Sequence, residues 1–181
     1  MNFKHGIRAG RMRRAGNMKH PSGHRDVAGL MAFLAVCLGV MAIGGAITAT
    51  TVSTWYQTLE KPGFAPPDWI FGPVWAALYI MIAVAGWLVW RRAGVRRPAL
   101  TLFAVQLALN SGWTMLFFGM TWIGAALVEI VILWITIAAT TLAFFSISKT
   151  AGLLFLPYLL WVAYAAALNG AIWVMNGWPF P

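Results

Sequence analysis

Charge is what this sequence has least of. Its 181 residues include 13 Lys or Arg and 4 Asp or Glu, 9% in all, where a soluble domain carries roughly 25%. With 61% hydrophobic residues, no packing of so short a chain hides that much apolar area from water, which excludes an ordinary soluble fold. Cysteine is nearly absent: Cys37 is the single one, so a disulfide framework is excluded, and the composition equally excludes disorder and a collagen-like chain. Histidine is missing from every apolar stretch, because His5, His20 and His24 all lie near the start. No histidine within a span can therefore ligate a metal, hold a haem iron or relay a proton. What remains is an integral membrane protein.

The few charges mark out the spans. Uncharged stretches run over Val27–Leu59, Trp69–Trp90, Pro98–Val128, Ile130–Ser148 and Thr150–Pro181. A membrane helix needs roughly 20 apolar residues. The sequence therefore predicts an all-α bundle of five spans, at about Ala28–Ala49, Trp69–Trp90, Ala99–Phe118, Trp122–Ile147 and Gly152–Met175. The third and fourth must be separate, because Pro98 to Ser148 as one helix would run roughly 75 Å; Gly119-Met120-Thr121 is the natural turn. No internal repeat is visible. With the N-terminus inside, the inner segments 1–26, 91–98 and 148–151 hold twelve Lys or Arg and the outer segments hold only Lys61. That asymmetry places the N-terminus inside and the C-terminus outside. The organisation expected is a basic tail (1–26), a membrane domain (27–176) and a C-terminal tail (177–181).

The tail from Lys4 to Arg25 has three readings. It is a solvated anchor against anionic lipid, an Arg-rich targeting presequence with no acid before Asp26, or a nucleic-acid-binding arm. The last is disfavoured, since no aromatic interleaving or folded module accompanies the charge. Residues 50–68, TTVSTWYQTLEKPGFAPPD, form a long connection stiffened by Pro62, Pro66 and Pro67. Its aromatic residues read either as an interfacial belt or as a lid over the outer mouth of the bundle.

Polar residues inside the spans fall into faces. Gln106, Asn110, Trp113 and Phe117 share one face of the third span, Trp75 and Tyr79 one face of the second, and Tyr158, Trp161, Ala165, Leu168 and Asn169 one face of the fifth. Glu129 is the single acid within a span, which makes it a functional candidate expected to face the bundle. Trp75, Asn110, Glu129 and Asn169 lie six to eight residues from the outer helix ends, roughly 9–12 Å deep. If these faces converge, they make a cavity beneath the lid; otherwise the asparagines serve as helix–helix glue. Such a lining suits a flat apolar ligand with polar edges. One acid supplies neither a charged ring for ion conduction nor a multi-site proton pathway. Cys37 sits among apolar neighbours, where a thiol is inert, so hydrolytic or acyl-transfer chemistry is not expected.

At these residues the chain resembles the TspO/MBR translocator proteins, the peripheral-type benzodiazepine receptor family. The matching pieces are Trp55-Tyr56, the run from Leu59 through Lys61-Pro62-Gly63-Phe64-Ala65-Pro66-Pro67-Asp68 to Trp69, and Gly72-Pro73-Val74-Trp75 through Tyr79. Further on come Gln106 through Asn110, Trp113, Phe117-Phe118-Gly119, Pro157-Tyr158-Leu159-Leu160-Trp161 and Leu168-Asn169. The resemblance covers roughly residues 28–176. It implies a five-helix membrane bundle, homodimeric in many members, that binds tetrapyrroles such as protoporphyrin IX and aromatic drug-like molecules. It points to Trp55, Trp75, Tyr79, Asn110, Trp161 and Ala165 as ligand-binding positions, to which Phe64 is added as a lid contact; the faces described above add Gln106, Glu129 and Asn169 as candidate polar pocket residues. No metal and no required cofactor is implied, the porphyrin being a ligand.

What the family does leaves three functional readings. The leading one is tetrapyrrole binding for sensing, sequestration or transport. An enzyme-like reading is light- and oxygen-dependent porphyrin breakdown through Trp75 and Trp161, as reported for some members. The third is a membrane scaffold. Three departures from the family pattern stand out. Phe64 replaces the usual Trp; Gly170 replaces the Tyr of the sterol-recognition stretch of animal members, with no Lys or Arg beyond Lys149; and Glu129 occupies a position that varies within the family. A bacterial envelope membrane is favoured over a mitochondrial or other organelle membrane. Gly39, Gly44, Thr48 and Ala126 are small residues that permit close helix approach in a dimer.

Overall fold

The computed structural model describes residues 23–94 and 98–177. Most of the basic tail, Arg96 and Arg97, and residues 178–181 lie outside the described residues, as do the readings placed on them. Six α-helices follow in order: α1 (Gly23–Ala49), α2 (Trp55–Thr58), α3 (Phe71–Ala93), α4 (Pro98–Thr114), α5 (Ile123–Ile147) and α6 (Lys149–Met175). α1, α3, α5 and α6 are long and apolar enough to cross a membrane, as is α4 when extended through Gly119. A 3₁₀ turn, Asp68–Ile70, leads into α3, and a π turn, Met115–Gly119, ends α4. These are the five expected spans, with α2 as an added turn inside the lid.

The helix ends follow from local chemistry. Ser148 alone joins α5 to α6: its backbone N–H closes α5 on the Phe144 carbonyl at 2.7 Å, and its hydroxyl accepts from the Ala151 N–H at 3.3 Å. One residue thus ends one span and caps the next. Arg92 donates to the Ile147 carbonyl at 3.3 Å, a cation at the negative end of α5. After the π turn the chain reverses through Thr121, whose φ of 59° lies in the left-handed region.

Packing is uneven along the bundle axis. At the basic end Asp26 pairs with Arg91 at 2.9 Å, the Arg91 guanidinium lies over the Trp87 ring at 4.7 Å, and Trp87 Nε1 donates to the Asp26 carbonyl at 2.9 Å. Gly29 of α1 meets the Trp90 ring, and Gly86 of α3 lies where a Cβ would come within 2.8 Å of Phe33 and Phe103. Below the midpoint a solid core of Ile82, Val89, Phe103, Ile137, Phe144 and Phe155 fills the space between α3, α4, α5 and α6. Toward the lid end α1 changes character: Gly44, Gly45, Thr48 and Ala49 offer little side chain, and Cys37 is the only buried residue of α1.

Two glycine substitutions test this gradient. Gly86→Ala overpacks a filled core and should cost about 1–3 kcal/mol. Gly45→Ala meets nothing within 4 Å and should stabilise by about 0.5–1 kcal/mol through reduced backbone freedom. Thermal unfolding of the two variants in one detergent should move in opposite directions; a Gly86→Ala protein as stable as the wild type would contradict the packing described.

Candidate functional site

The lid-end half of the bundle holds a cavity of about 510 Å³, within the range of roughly 300–1,000 Å³ usual for small-molecule sites. Its aromatic wall is Phe71, Trp75, Tyr79, Trp113, Phe117 and Trp161, drawn from α3, α4 with its π turn, and α6. Ala165, Leu168 and Asn169 continue the α6 side, and Met41, Ala42, Gly44, Gly45, Thr48 and Ala49 supply the α1 side. Tyr56 and Asp68 stand at the top.

The floor is a directed chain of hydrogen bonds. The Tyr79 hydroxyl donates to Asn110 Oδ1 at 2.6 Å, and Asn110 Nδ2 donates to the Tyr158 hydroxyl at 3.0 Å. Tyr158 in turn donates to Gln106 Oε1 at 2.9 Å, and Gln106 Nε2 ends the chain on the Phe103 carbonyl at 3.0 Å. All four side chains are buried. A second set fixes a wall: Trp113 Nε1 donates to Asn169 Oδ1 at 3.1 Å, while Asn169 Nδ2 donates to the Ile123 carbonyl at 3.0 Å. Both asparagines are therefore held by protein groups. Trp75 leans on Tyr79 with ring centroids 5.6 Å apart and meets Tyr158 edge-on at 6.2 Å. Trp161 is set against Phe71 at 6.0 Å, and its indole N–H is buried with no hydrogen-bond partner among the described residues.

The roof is the connection after α1. Gln57 Nε2 donates to Asp68 Oδ2 at 2.6 Å and to the Val52 carbonyl at 2.9 Å. The Thr51 hydroxyl donates to the Phe118 carbonyl at 3.0 Å, and Tyr164 donates to the Phe64 carbonyl at 2.9 Å. Asn176 grips the Glu60 peptide from both sides, accepting from its N–H and donating to its carbonyl, each at 2.9 Å. Lys61 lies over the Tyr56 ring at 4.5 Å. Burial, reinforced by Asp68 and Tyr164, pushes the Tyr56 phenol up to about 12, so it remains neutral under ordinary conditions.

Of the residues singled out from sequence, Trp75, Tyr79, Asn110, Trp161, Ala165 and Asn169 line the cavity together. Trp55, Phe64, Gln106 and Glu129 are not among its lining. Trp55 packs edge-on against Phe117 at 5.7 Å behind the wall, and Phe64 is 53% exposed on the lid, edge-on to Tyr164. Gln106 lies beneath the floor as the acceptor for Tyr158. Glu129 packs beside Gly112 of α4, its two carboxylate oxygens shielded and unpartnered among the described residues. Gly44 and Thr48 line the cavity, while Ala126 is buried in the cluster under the lid. Sequence reasoning missed the α1 wall, whose small residues carry no chemical signature, and did not single out Tyr56 from the other lid aromatics.

Comparison with known proteins gives a consistent result. Residues 33–174 match the model of the TspO/MBR family. The chain is 43% identical over 157 residues to the "Tryptophan-rich protein TspO" of Chlorobaculum tepidum, covering 84% of this chain and 99% of that protein. It is 40% identical over 144 residues to the "Tryptophan-rich sensory protein" of Cereibacter sphaeroides, covering 80% and 89%. It is 41% identical over 129 residues to the human "Translocator protein", covering 68% and 76%.

The floor makes a graded prediction. Tyr158→Phe strands both Gln106 Oε1 and Asn110 Nδ2, whereas Tyr79→Phe strands only Asn110 Oδ1. At about 1–3 kcal/mol per buried unsatisfied group, Tyr158→Phe should lower the melting temperature by clearly more than Tyr79→Phe. Equal losses would show that the chain is not a single connected unit.

Proposed function

Because the chain belongs to the TspO/MBR family, we propose that its cavity binds tetrapyrroles of the protoporphyrin IX type, in sensing, sequestering or moving them. The observation that carries the reading is the wall itself. Trp75, Trp113, Trp161, Tyr79, Phe71 and Phe117 surround a space of about 510 Å³, and flat aromatic faces favour a flat conjugated ligand through stacked and edge-on contacts. Neutral Asn110 and Asn169 lie on the same wall, while the nearest charged lining residue, Asp68, is at the roof. An aromatic chamber of this kind takes an apolar ring system. The names of the relatives, sensory protein and translocator protein, agree with a role in which a ligand is recognised at a membrane.

A second reading, light-driven breakdown of the bound porphyrin, draws support from Trp75 and Trp161, which both stand on the wall. Binding alone needs shape; breakdown would also need these indoles. One experiment addresses both. Protoporphyrin IX is titrated into the purified protein, and tryptophan quenching is compared with empty micelles. Saturable quenching is expected, weakened at least tenfold in Trp75→Phe/Trp161→Phe. Quenching no stronger than in micelles would remove the reading. Under light and oxygen, loss of porphyrin absorbance that persists unchanged in the double variant would remove the breakdown reading and leave binding standing.

A further inference from the structure

The cavity is bounded by linked side chains at its floor, across its roof and along the α1–α4 side. Its floor is the buried chain from Tyr79 to Gln106. Its roof is cross-linked by Gln57 to Asp68, Thr51 to the π turn, and Asn176 and Tyr164 to the lid. On the α4 side α1 is in contact: a Cβ at Gly44 would sit 3.7 Å from Thr114, and one at Gly119 would sit 3.4 Å from Ile47. The basic half of the α1–α3 seam is shut by Asp26–Arg91 and by Gly29 and Gly86 against aromatic rings.

The lid-end half of that same seam is different. Ala42, Gly45 and Ala49 of α1 and Gly72 of α3 line the cavity and are nonetheless exposed. Nothing lies within 4 Å of where a Cβ at Gly45 or Gly72 would stand. Gly45 and Ala42 lie four and seven residues below the end of α1, roughly 6 and 10 Å into the bilayer at ~1.5 Å per residue. The space between the two helices at this depth faces hydrocarbon rather than water.

The geometry points to a lateral portal between α1 and α3, through which an apolar planar ligand enters from the bilayer while the lid stays shut. This rests on the tetrapyrrole reading of the cavity, and it specifies the phase from which the ligand is drawn. A planar ring system partitions into lipid before it meets the protein, and an edge-on plane needs a slot with no side chains across it. Gly45, Ala49 and Gly72 leave such a slot. Entry through the roof would instead break the paired hydrogen bonds of Asn176 to Glu60 and the Gln57–Asp68 contact.

The test uses the full chain in lipid vesicles preloaded with protoporphyrin IX, with association and dissociation followed by stopped-flow tryptophan quenching. Gly45→Leu and Ala49→Leu fill the slot. Gly39→Leu is the control, on α1 with open space at its Cβ but away from the cavity lining. Asn176→Ala releases the lid. The expected result is that the slot-filling variants slow association and dissociation together, each by at least tenfold. A blocked route changes both rates; a damaged site would raise dissociation alone. Gly39→Leu and Asn176→Ala should keep the wild-type association rate. Unchanged rates in Gly45→Leu and Ala49→Leu, faster dissociation alone, or faster association in Asn176→Ala would overturn the portal while saturable binding kept the site. Absence of saturable binding in the wild type would remove the tetrapyrrole reading and the portal with it.

Discussion

The structure depends on one buried run of hydrogen bonds, from Tyr79 through Asn110 and Tyr158 to Gln106 and the Phe103 carbonyl. In a bundle surrounded by lipid, a polar group that misses its partner finds no water to replace it. Each member of the run therefore constrains the next. Tyr79 fixes α3 to α4 through Asn110, and Tyr158 fixes α6 to both Asn110 and Gln106. Because every donor points the same way along the run, the side chains cannot exchange partners one at a time. The run marks the level at which the bundle changes from solid to hollow. Toward the basic end Phe103, Phe144 and Phe155 interlock; toward the lid the helices surround the cavity. A bundle without this floor would be free to pack its aromatic walls inward.

That floor also decides what the cavity can offer a ligand. Asn110 spends its oxygen on Tyr79 and a proton on Tyr158, and Asn169 spends both ends on Trp113 and the Ile123 carbonyl. Both asparagines are thus engaged in holding rings in place, which leaves the Trp161 indole N–H as the unpartnered buried donor on the wall among the described residues. What the wall mainly presents is shape and aromatic faces. Of the 11 Trp, Trp75, Trp113 and Trp161 line the cavity, whereas Trp69 and Trp122 are exposed, as an interfacial belt requires.

The sequence was most informative where charge or periodicity left a mark. Scarce charges bounded most of the spans to within about five residues, since a charged side chain in hydrocarbon is expensive; the break between the third and fourth came from length and the Gly119 turn instead. The 3.6-residue period placed Trp75 with Tyr79 and Asn110 with Trp113 on inward faces, where they are found. Periodicity gives a face but not a neighbour, which is why Gln106 shares the stripe of Asn110 yet lies under the floor. Glu129 illustrates a second limit: a lone acid must avoid lipid, but a groove beside Gly112 satisfies that demand as well as a cavity does. The lid was legible as a stiff aromatic segment. Which of its rings would serve was not, because Tyr56, Trp55 and Phe64 are alike in composition and differ only in where α2 turns them. Least legible was α1, whose contribution consists of side chains that are absent.

Those absences nevertheless follow a pattern. On α1 and α3, Gly29 and Gly86 toward the basic end are crowded by rings, whereas Gly45 and Gly72 near the lid, like Gly23 at the first residue of α1, have nothing beside them. The same residue type thus permits closure at one end of a seam and keeps it open at the other. Close approach at the basic end is held by the Asp26–Arg91 pair and the Trp87 contacts, so the two helices cannot simply slide shut along their length. Closing the open half would require rotating α1 against its contacts with Thr114 and the π turn. An apolar chamber whose water-facing side is cross-linked and whose lipid-facing side is bare exchanges its contents most readily with the bilayer. The inequality of the two ends of one helix pair, rather than any single residue of the wall, therefore determines how the cavity is reached.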